Sequence, residues 1–102
     1  MQTKSWWLYL LSCKGGRTYA GIAIDVDARF LAHRQGKGAK FTRANRPLKI
    51  LAAQAFATRS DALKAEYALK QLLRPQKMVW AKQWKWHRAN STQPTANSKS
   101  SC

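Results

Sequence analysis

The chain has 102 residues, of which 19 are Lys or Arg and only 4 are Asp or Glu, so its formal net charge at pH 7 is +15. Hydrophobic residues make up 45% of it, which is enough for the core of one small domain and excludes a wholly disordered basic tail. No fold requires this imbalance, because like charges repel one another and destabilise the compact state. The charge therefore predicts a polyanionic partner, and it favours nucleic acid over an anionic membrane surface.

The apolar runs and the cysteines limit where the protein can act. Runs such as Trp6 to Leu11 are far shorter than the ~20 residues of a membrane-spanning helix, and no secretory leader follows the N-terminus. Cys13 and Cys102 have neither the spacing of zinc ligands nor that of a disulfide framework, which favours a reducing compartment. We therefore expect a cytoplasmic protein that does not bind membranes.

The first part of the chain predicts a β-hairpin followed by a helix. Residues 5–12 are aromatic and aliphatic, as in a buried strand, and the glycine turn CKGGR separates them from a second strand with the sequence TYAGIA. Asp25 is a suitable N-cap for a helix with the sequence VDARFLAHRQ, which Gly36 would end.

The middle of the chain predicts a loop, a strand and a second helix. Residues 36–47 contain glycines, basic residues and a proline without a clear period, which is typical of a loop. Residues 48–57 predict the third strand. Ser60 or Asp61 can cap the helix that follows, at about residues 61–73.

The last part predicts one more helix and then a polar tail. Pro75 lies where a helix can begin, in its first turn, and this helix would run to about residue 87. Residues 89–102 are poor in apolar groups, so we expect a disordered tail after a domain of residues 1–88. The predicted order is β-β-α-β-α-α, an α/β (α+β) domain with helices packed on a short mixed sheet.

Glu66 is the only glutamate of the chain. At ~100° per residue it lies between Leu73 and Leu63 in the apolar arc of its helix, where an ionised carboxylate is costly to desolvate. Lys70 is its i+4 neighbour. The pair is either a surface ion pair or part of a cleft in which the carboxylate binds a hard cation such as Mg²⁺.

Four further side chains could likewise have a structural role or belong to a functional site. Arg29 and His33 are i,i+4 partners beside an apolar position, which alone indicates a solvated helix face. Tyr9 and Tyr19 flank the glycine turn and would share one face of the hairpin if they pair directly, which alone indicates core packing. Together with Glu66 they supply the groups that phosphodiester cleavage needs: a general base, a cation for the charge that builds on phosphate and a carboxylate for a metal ion.

Two basic segments predict contact with nucleic acid. Lys37, Lys40 and Arg43 lie in the glycine-containing segment GKGAKFTR, which predicts phosphate contacts but is also compatible with a solvated loop. Trp80 and Trp84 are i,i+4 partners among cations in the last helix. They either pack in the core or stack on the bases of a single strand.

At this point the residues resemble a known family. The segments WLY and YAG are similar to the paired signature of the GIY-YIG nucleases, although the first keeps only its tyrosine, Tyr9, and the second keeps Tyr19 and the glycine. Arg29 and His33 follow at the spacing of the family's helix residues, and Glu66 resembles its metal-binding glutamate. The segments QGKGAKFTR and RSDALKAEYALKQL resemble a small single-domain bacterial subgroup, YhbQ-like (UPF0213-type), and the resemblance covers about residues 5–80.

The resemblance implies a three-stranded antiparallel sheet flanked by helices, and a DNA endonuclease that uses one Mg²⁺ or Mn²⁺ ion. In it Glu66 would bind the metal, Arg29 would stabilise charge on the phosphate, and Tyr9, Tyr19 or His33 would activate water. Many members carry a late polar residue, often Asn, that has no clear counterpart here; Lys70 is the substitute we consider, as a phosphate contact.

Several functions are compatible with these residues. The first is a metal-dependent endonuclease of DNA, with single-stranded DNA favoured, branched DNA as an alternative and no small-molecule cofactor. The second is a basic protein that binds nucleic acid without cleaving it. Both predict binding that weakens steeply with salt, so charge alone does not separate them. A membrane-surface protein is disfavoured because no amphipathic anchor is evident.

Overall fold

The computed structural model describes residues 5–86, and the predicted tail, residues 89–102, lies outside that range. The chain forms three strands and four helices within the described residues. In chain order these are β1 (Trp6–Cys13), β2 (Arg17–Ala23), α1 (Val26–Arg34), α2 (Lys40–Ala44), β3 (Pro47–Phe56), α3 (Arg59–Lys70) and α4 (Arg74–Gln83).

The sheet has the strand order β2-β1-β3, and both pairings are antiparallel. The mixed sheet expected from the residues alone is therefore wrong, and the antiparallel sheet implied by the resemblance is confirmed. A one-turn 3₁₀ helix, Lys14–Gly16, connects β1 to β2. Gly15 and Gly16 have φ values of 78° and 73° there, which side-chain-bearing residues rarely adopt.

The two faces of the sheet carry separate apolar clusters, because successive side chains of a strand point to opposite faces. On one face Leu8 and Leu10 of β1 pack with Leu69 of α3 and Ala81 of α4. On the other face Tyr9 and its neighbours from β1 pack with Val26 of α1. The central strand is thus covered on both sides, and its residues from Leu8 to Leu11 are at most 2% exposed.

The caps of the longer helices agree with the sequence prediction for α1 but not for α3. Asp25 caps α1 as predicted, because its carboxylate accepts a hydrogen bond from the Ala28 amide at 3.0 Å. Gly36 follows the helix with a φ of 78°. The cap predicted for α3, Ser60 or Asp61, is wrong: the helix begins at Arg59, and the Thr58 hydroxyl accepts from the Asp61 amide at 3.1 Å.

The short helix α2 lies inside the segment that the sequence predicts to be a loop. Five residues are too few to show a helical period, so the sequence pattern does not predict this helix. Its first turn is closed by the Thr42 hydroxyl, which donates to the Ala39 carbonyl at 2.9 Å. The Thr42 amide also donates to that carbonyl, at 3.1 Å.

The last helix begins as predicted, with a proline in its first turn. Trp80 is partly buried against the apolar cluster that contains Leu8 and Leu10, as core packing requires, whereas Trp84 is 37% exposed. The chain after the helix runs beside β3, since Trp84 and Leu51 accept hydrogen bonds from the Ala53 and Trp86 amides. Within residues 5–86, no helix has the length and apolar character needed to cross a membrane.

We expect Thr58→Ala to lower the free energy of unfolding by about 1 kcal/mol, because the first turn of α3 loses its hydroxyl cap. Urea denaturation of both proteins measures the difference. Ser60→Ala is the matched control, since Ser60 is also exposed at the start of α3, and we expect it to change the stability by less than about 0.5 kcal/mol. A larger loss for Ser60→Ala than for Thr58→Ala would contradict the assigned cap.

Candidate active site

The centre of the candidate site is a buried hydrogen bond between Tyr9 and His33. The Tyr9 hydroxyl lies 3.0 Å from His33 Nε2, and each residue is 2% exposed. The Tyr9 ring extends over β2, where a Cβ added at Gly21 would lie only 2.5 Å from its hydroxyl oxygen. A glycine is therefore needed at position 21 for the phenol to reach His33.

The second nitrogen of His33 fixes the direction of this bond. His33 Nδ1 lies 2.7 Å from Thr42 Oγ1, and the Thr42 proton is already donated to the Ala39 carbonyl. Thr42 must then accept from Nδ1–H, because a hydroxyl has only one proton to donate. Nε2 of the neutral ring is consequently an acceptor, and the Tyr9 hydroxyl is its donor.

Thr42, which no sequence pattern marks, lies at the end of this hydrogen-bond chain and is 2% exposed. A threonine between Phe41 and Arg43 resembles an ordinary loop residue, and the contact to His33 forms only when α2 is in place. Gly38 has a similar role. A Cβ there would overlap the His33 ring, so the imidazole occupies space that only a glycine leaves free.

Tyr19 joins the site by ring packing. It lies opposite Leu11 in the hairpin, while Tyr9 lies opposite Gly21. The two tyrosines therefore do not pair directly, but the offset of two residues keeps both on one face of the sheet. The Tyr19 ring meets His33 edge-on, with 5.2 Å between centroids.

The charges of Arg29 and Glu66 both act on Tyr9. Burial is the main reason that the pKa of Tyr9 lies well above its usual range; the Tyr19 and Glu66 charges raise it further, and the Arg29 charge opposes them. Burial, followed by the Arg29 charge, lowers the pKa of His33. At pH 7 the phenol and the imidazole are therefore both neutral.

Glu66 makes the ion pair that its spacing predicts. Its carboxylate lies 3.1 Å from Lys70 Nζ, and the side chains are 17% and 49% exposed respectively. Its predicted apolar neighbours differ from expectation, because α3 ends at Lys70 and Leu73 is 72% exposed. Glu66 therefore stands at the border of the buried face, with a carboxylate that its lysine partner partly compensates.

The surroundings of these groups are open and basic. Arg29 and the three cations of the glycine-containing segment, Lys37, Lys40 and Arg43, are exposed. Beside Arg29 lies an open groove of about 300 Å³, lined by Trp6, Ala23, Ile24, Asp25, Ala28 and Arg29.

The sequence matches a family model described as the GIY-YIG catalytic domain over residues 5–79. The chain belongs to the GIY-YIG family. A UPF0213 protein of Cupriavidus pinatubonensis is 49% identical over 77 residues, which are 76% of this chain and 86% of the relative. A UPF0213 protein of Bacillus licheniformis is 44% identical over 77 residues, covering 76% and 79% of the two chains.

Solved structures agree with this assignment. The solution NMR structure of a protein from E. faecalis has a TM-score of 0.56 at 40% identity, covering 81% of this chain and 90% of the other. The NMR structure of a UPF0213 protein from Bacillus halodurans has a TM-score of 0.52 at 35% identity, covering 89% and 97%. The predicted fold is thereby confirmed, and GIY-YIG membership implies a nuclease domain that acts on nucleic acid.

The lowered pKa of His33 predicts a specific dependence of stability on pH. Between the native pKa and the ordinary value near 6.5, the unfolded chain binds more protons than the native protein. The free energy of unfolding should therefore fall as the pH decreases through this window. NMR titration of the His33 ring should give a midpoint below 6.5, and His33→Gln should lack this part of the pH dependence in urea denaturation. A midpoint at or above 6.5 would contradict the assignment.

Thr42 provides a test of the hydrogen-bond chain. We expect Thr42→Val to destabilise the protein by about 1–3 kcal/mol, because the buried Nδ1–H of His33 loses its acceptor. Thr42→Ser keeps a hydroxyl and is the matched control. Nitrogen NMR shifts of the His33 ring should place the proton on Nδ1 in the wild type and in Thr42→Ser. Equal stability of the valine and serine variants would rule out this role for the hydroxyl.

Proposed function

We propose that the protein is a divalent-metal-dependent DNA endonuclease that hydrolyses phosphodiester bonds, with single-stranded DNA as the favoured substrate. The observation that carries the proposal is the buried Tyr9–His33 hydrogen bond, on whose phenol the charges of Arg29 and Glu66 both act. A general base, a cation for the charge on phosphate and a carboxylate for a metal ion are the groups that phosphodiester hydrolysis requires.

Tyr9 and His33 act together on the attacking water. A free phenolate is disfavoured by the raised pKa of Tyr9, so Tyr9 does not serve as a base by itself. Instead, the water transfers a proton to the Tyr9 oxygen while Tyr9 transfers its own proton to His33 Nε2. The hydroxide bonds to phosphorus, and the imidazolium that forms keeps its Nδ1–H bond to Thr42. Tyr19, whose ring lies against His33, orients the water.

Arg29 stabilises the charge that develops on the phosphate. It is exposed on α1, one turn before His33, and its charge acts on both Tyr9 and His33. Its guanidinium carries donors in a planar fork that matches phosphate oxygens. The bond from phosphorus to the leaving oxygen breaks as the hydroxide bond forms, and solvent protonates the leaving oxygen.

Glu66 is the residue that would hold one Mg²⁺ or Mn²⁺ ion. Residues 5–86 contain no group of three or more His, Cys, Asp or Glu side chains able to hold a metal ion. Mg²⁺, however, is commonly bound by one or two carboxylates together with substrate phosphate and water, so a single partly exposed carboxylate fits such an ion. When bound, the ion supplies charge neutralisation at the phosphate.

The exposed cations bind the DNA backbone. Lys37, Lys40 and Arg43 contact phosphates, and Lys70, the ion-pair partner of Glu66, would become a further phosphate contact if Glu66 held the metal ion. The net charge of +15 supports a polyanionic substrate. A nuclease for branched DNA and a protein that binds nucleic acid without cleaving it are the alternatives that experiment must separate.

We expect Glu66→Gln to abolish metal-dependent cleavage while leaving DNA binding nearly unchanged, because the amide keeps the shape of the side chain but removes the anionic ligand. Labelled single-stranded, duplex and branched DNA are incubated with Mg²⁺, Mn²⁺ or EDTA, and products are resolved on gels. Asp61→Asn is the matched control, since Asp61 is a carboxylate in the first turn of the same helix, and it should retain cleavage.

The pattern of products distinguishes the candidates. Cleavage by purified Glu66→Gln at the wild-type rate would remove Glu66 from the site. Wild-type protein that binds DNA but gives no metal-dependent product on any of the three substrates would favour the non-catalytic protein. Product from branched DNA alone would favour the structure-specific nuclease.

A further inference from the structure

Phe41 is an aromatic residue on the surface beside the candidate site. It belongs to α2 and is 38% exposed, although a phenylalanine is usually found inside a protein. Its ring is stacked on that of Tyr19, with 5.7 Å between centroids and 23° between planes. The exposed part of the ring is therefore held in a fixed orientation by a neighbour that belongs to the site.

Two contacts tie Phe41 to the Tyr9–His33 pair. The first passes through the rings, since Tyr19 lies against Phe41 and meets the His33 ring edge-on. The second passes through the adjacent residue, Thr42, whose hydroxyl is 2.7 Å from His33 Nδ1. A group that stacks on Phe41 would consequently be held at a definite distance from the proposed proton acceptor.

The charge around Phe41 indicates what kind of group this is. Lys40 and Arg43 lie on the same short helix, and Lys37 precedes it, all exposed. No acidic residue occurs between Asp27 and Asp61 in the sequence. An exposed aromatic face surrounded by cations matches a nucleobase attached to its phosphates, because the ring takes the base and the cations take the backbone.

We propose that Phe41 is a stacking platform for an unpaired nucleobase next to the phosphate held at Arg29, and that it gives the site its preference for single strands. The proposal rests on the proposed function, because it places the base relative to that phosphate. A base in a duplex is already stacked between its neighbours and cannot offer its face to Phe41 without being unstacked. A single strand offers a base at a lower cost.

The test uses the full-length protein in EDTA, so that binding is measured without cleavage. Affinities for a single-stranded oligonucleotide and for its duplex are compared between the wild type and Phe41→Leu, which keeps an apolar side chain but removes the aromatic face. We expect Phe41→Leu to bind the single strand about 5- to 150-fold more weakly, the range that base–aromatic stacking spans, and to bind the duplex as the wild type does.

A fluorescent base shows whether stacking itself is lost. An oligonucleotide with 2-aminopurine at successive positions should be quenched at one position by the wild type and by Phe41→Trp, but not by Phe41→Leu. Tyr67→Leu is the matched control, since Tyr67 is an exposed aromatic residue on another helix, α3. It should behave as the wild type in both measurements. Circular dichroism confirms that each variant is folded.

The outcomes separate this proposal from the nuclease proposal. Equal quenching and equal affinity for the wild type and folded Phe41→Leu would overturn the platform, even if the protein cleaves DNA. Equal losses for the single strand and the duplex would also overturn it, because they indicate a general loss of binding. Quenching that depends on Phe41 in a protein that never cleaves DNA would retain the platform and remove the nuclease.

Discussion

Burial of the His33 imidazole is the constraint on which the site depends. A ring that is 2% exposed must have partners for both nitrogens, because an unpaired buried polar atom costs about 1–3 kcal/mol. Tyr9 satisfies one nitrogen and Thr42 the other. This need links elements that are far apart in the chain: a central strand, the first helix and a helix of five residues. It also leaves no room for side chains at Gly21 and Gly38.

The single glutamate shows how a charge can be kept at low cost near the core. Lys70 compensates the Glu66 carboxylate at 3.1 Å, and the carboxylate is only partly buried. The surface ion pair and the metal ligand, which the sequence leaves as alternatives, are therefore compatible with one another. In the structure, Glu66 pairs with Lys70. In the proposed function, Glu66 would instead bind the metal ion when substrate is present.

The sequence predicts the elements of this fold that are long enough to show an apolar pattern or that have a distinct end signal. The hairpin and the third strand are predicted from their apolar runs, and the three longer helices from start signals at Asp25, at Ser60 or Asp61, and at Pro75. The sequence leaves the hairpin register open, because a turn with two glycines permits more than one pairing of Tyr9 with its opposite strand. The helix α2, and with it the role of Thr42, was missed because five residues are too short for a pattern. The residue types of the site were recognisable, but the hydrogen bonds that connect them depend on tertiary contacts.

The position of α1 and α2 between β2 and β3 has a consequence for how the protein folds. The β1–β2 hairpin is closed by a one-turn connection, whereas β3 begins only after the whole segment with His33 and Thr42. The Lys14 amide of the hairpin turn bonds the Arg46 carbonyl just before β3, at 2.8 Å, so this segment is a closed loop in the native state. Long loops close at a larger entropic cost than local hairpins do. The partners of His33 are therefore brought together only when β3 pairs with β1. A chain in which only the hairpin has formed does not yet contain the site.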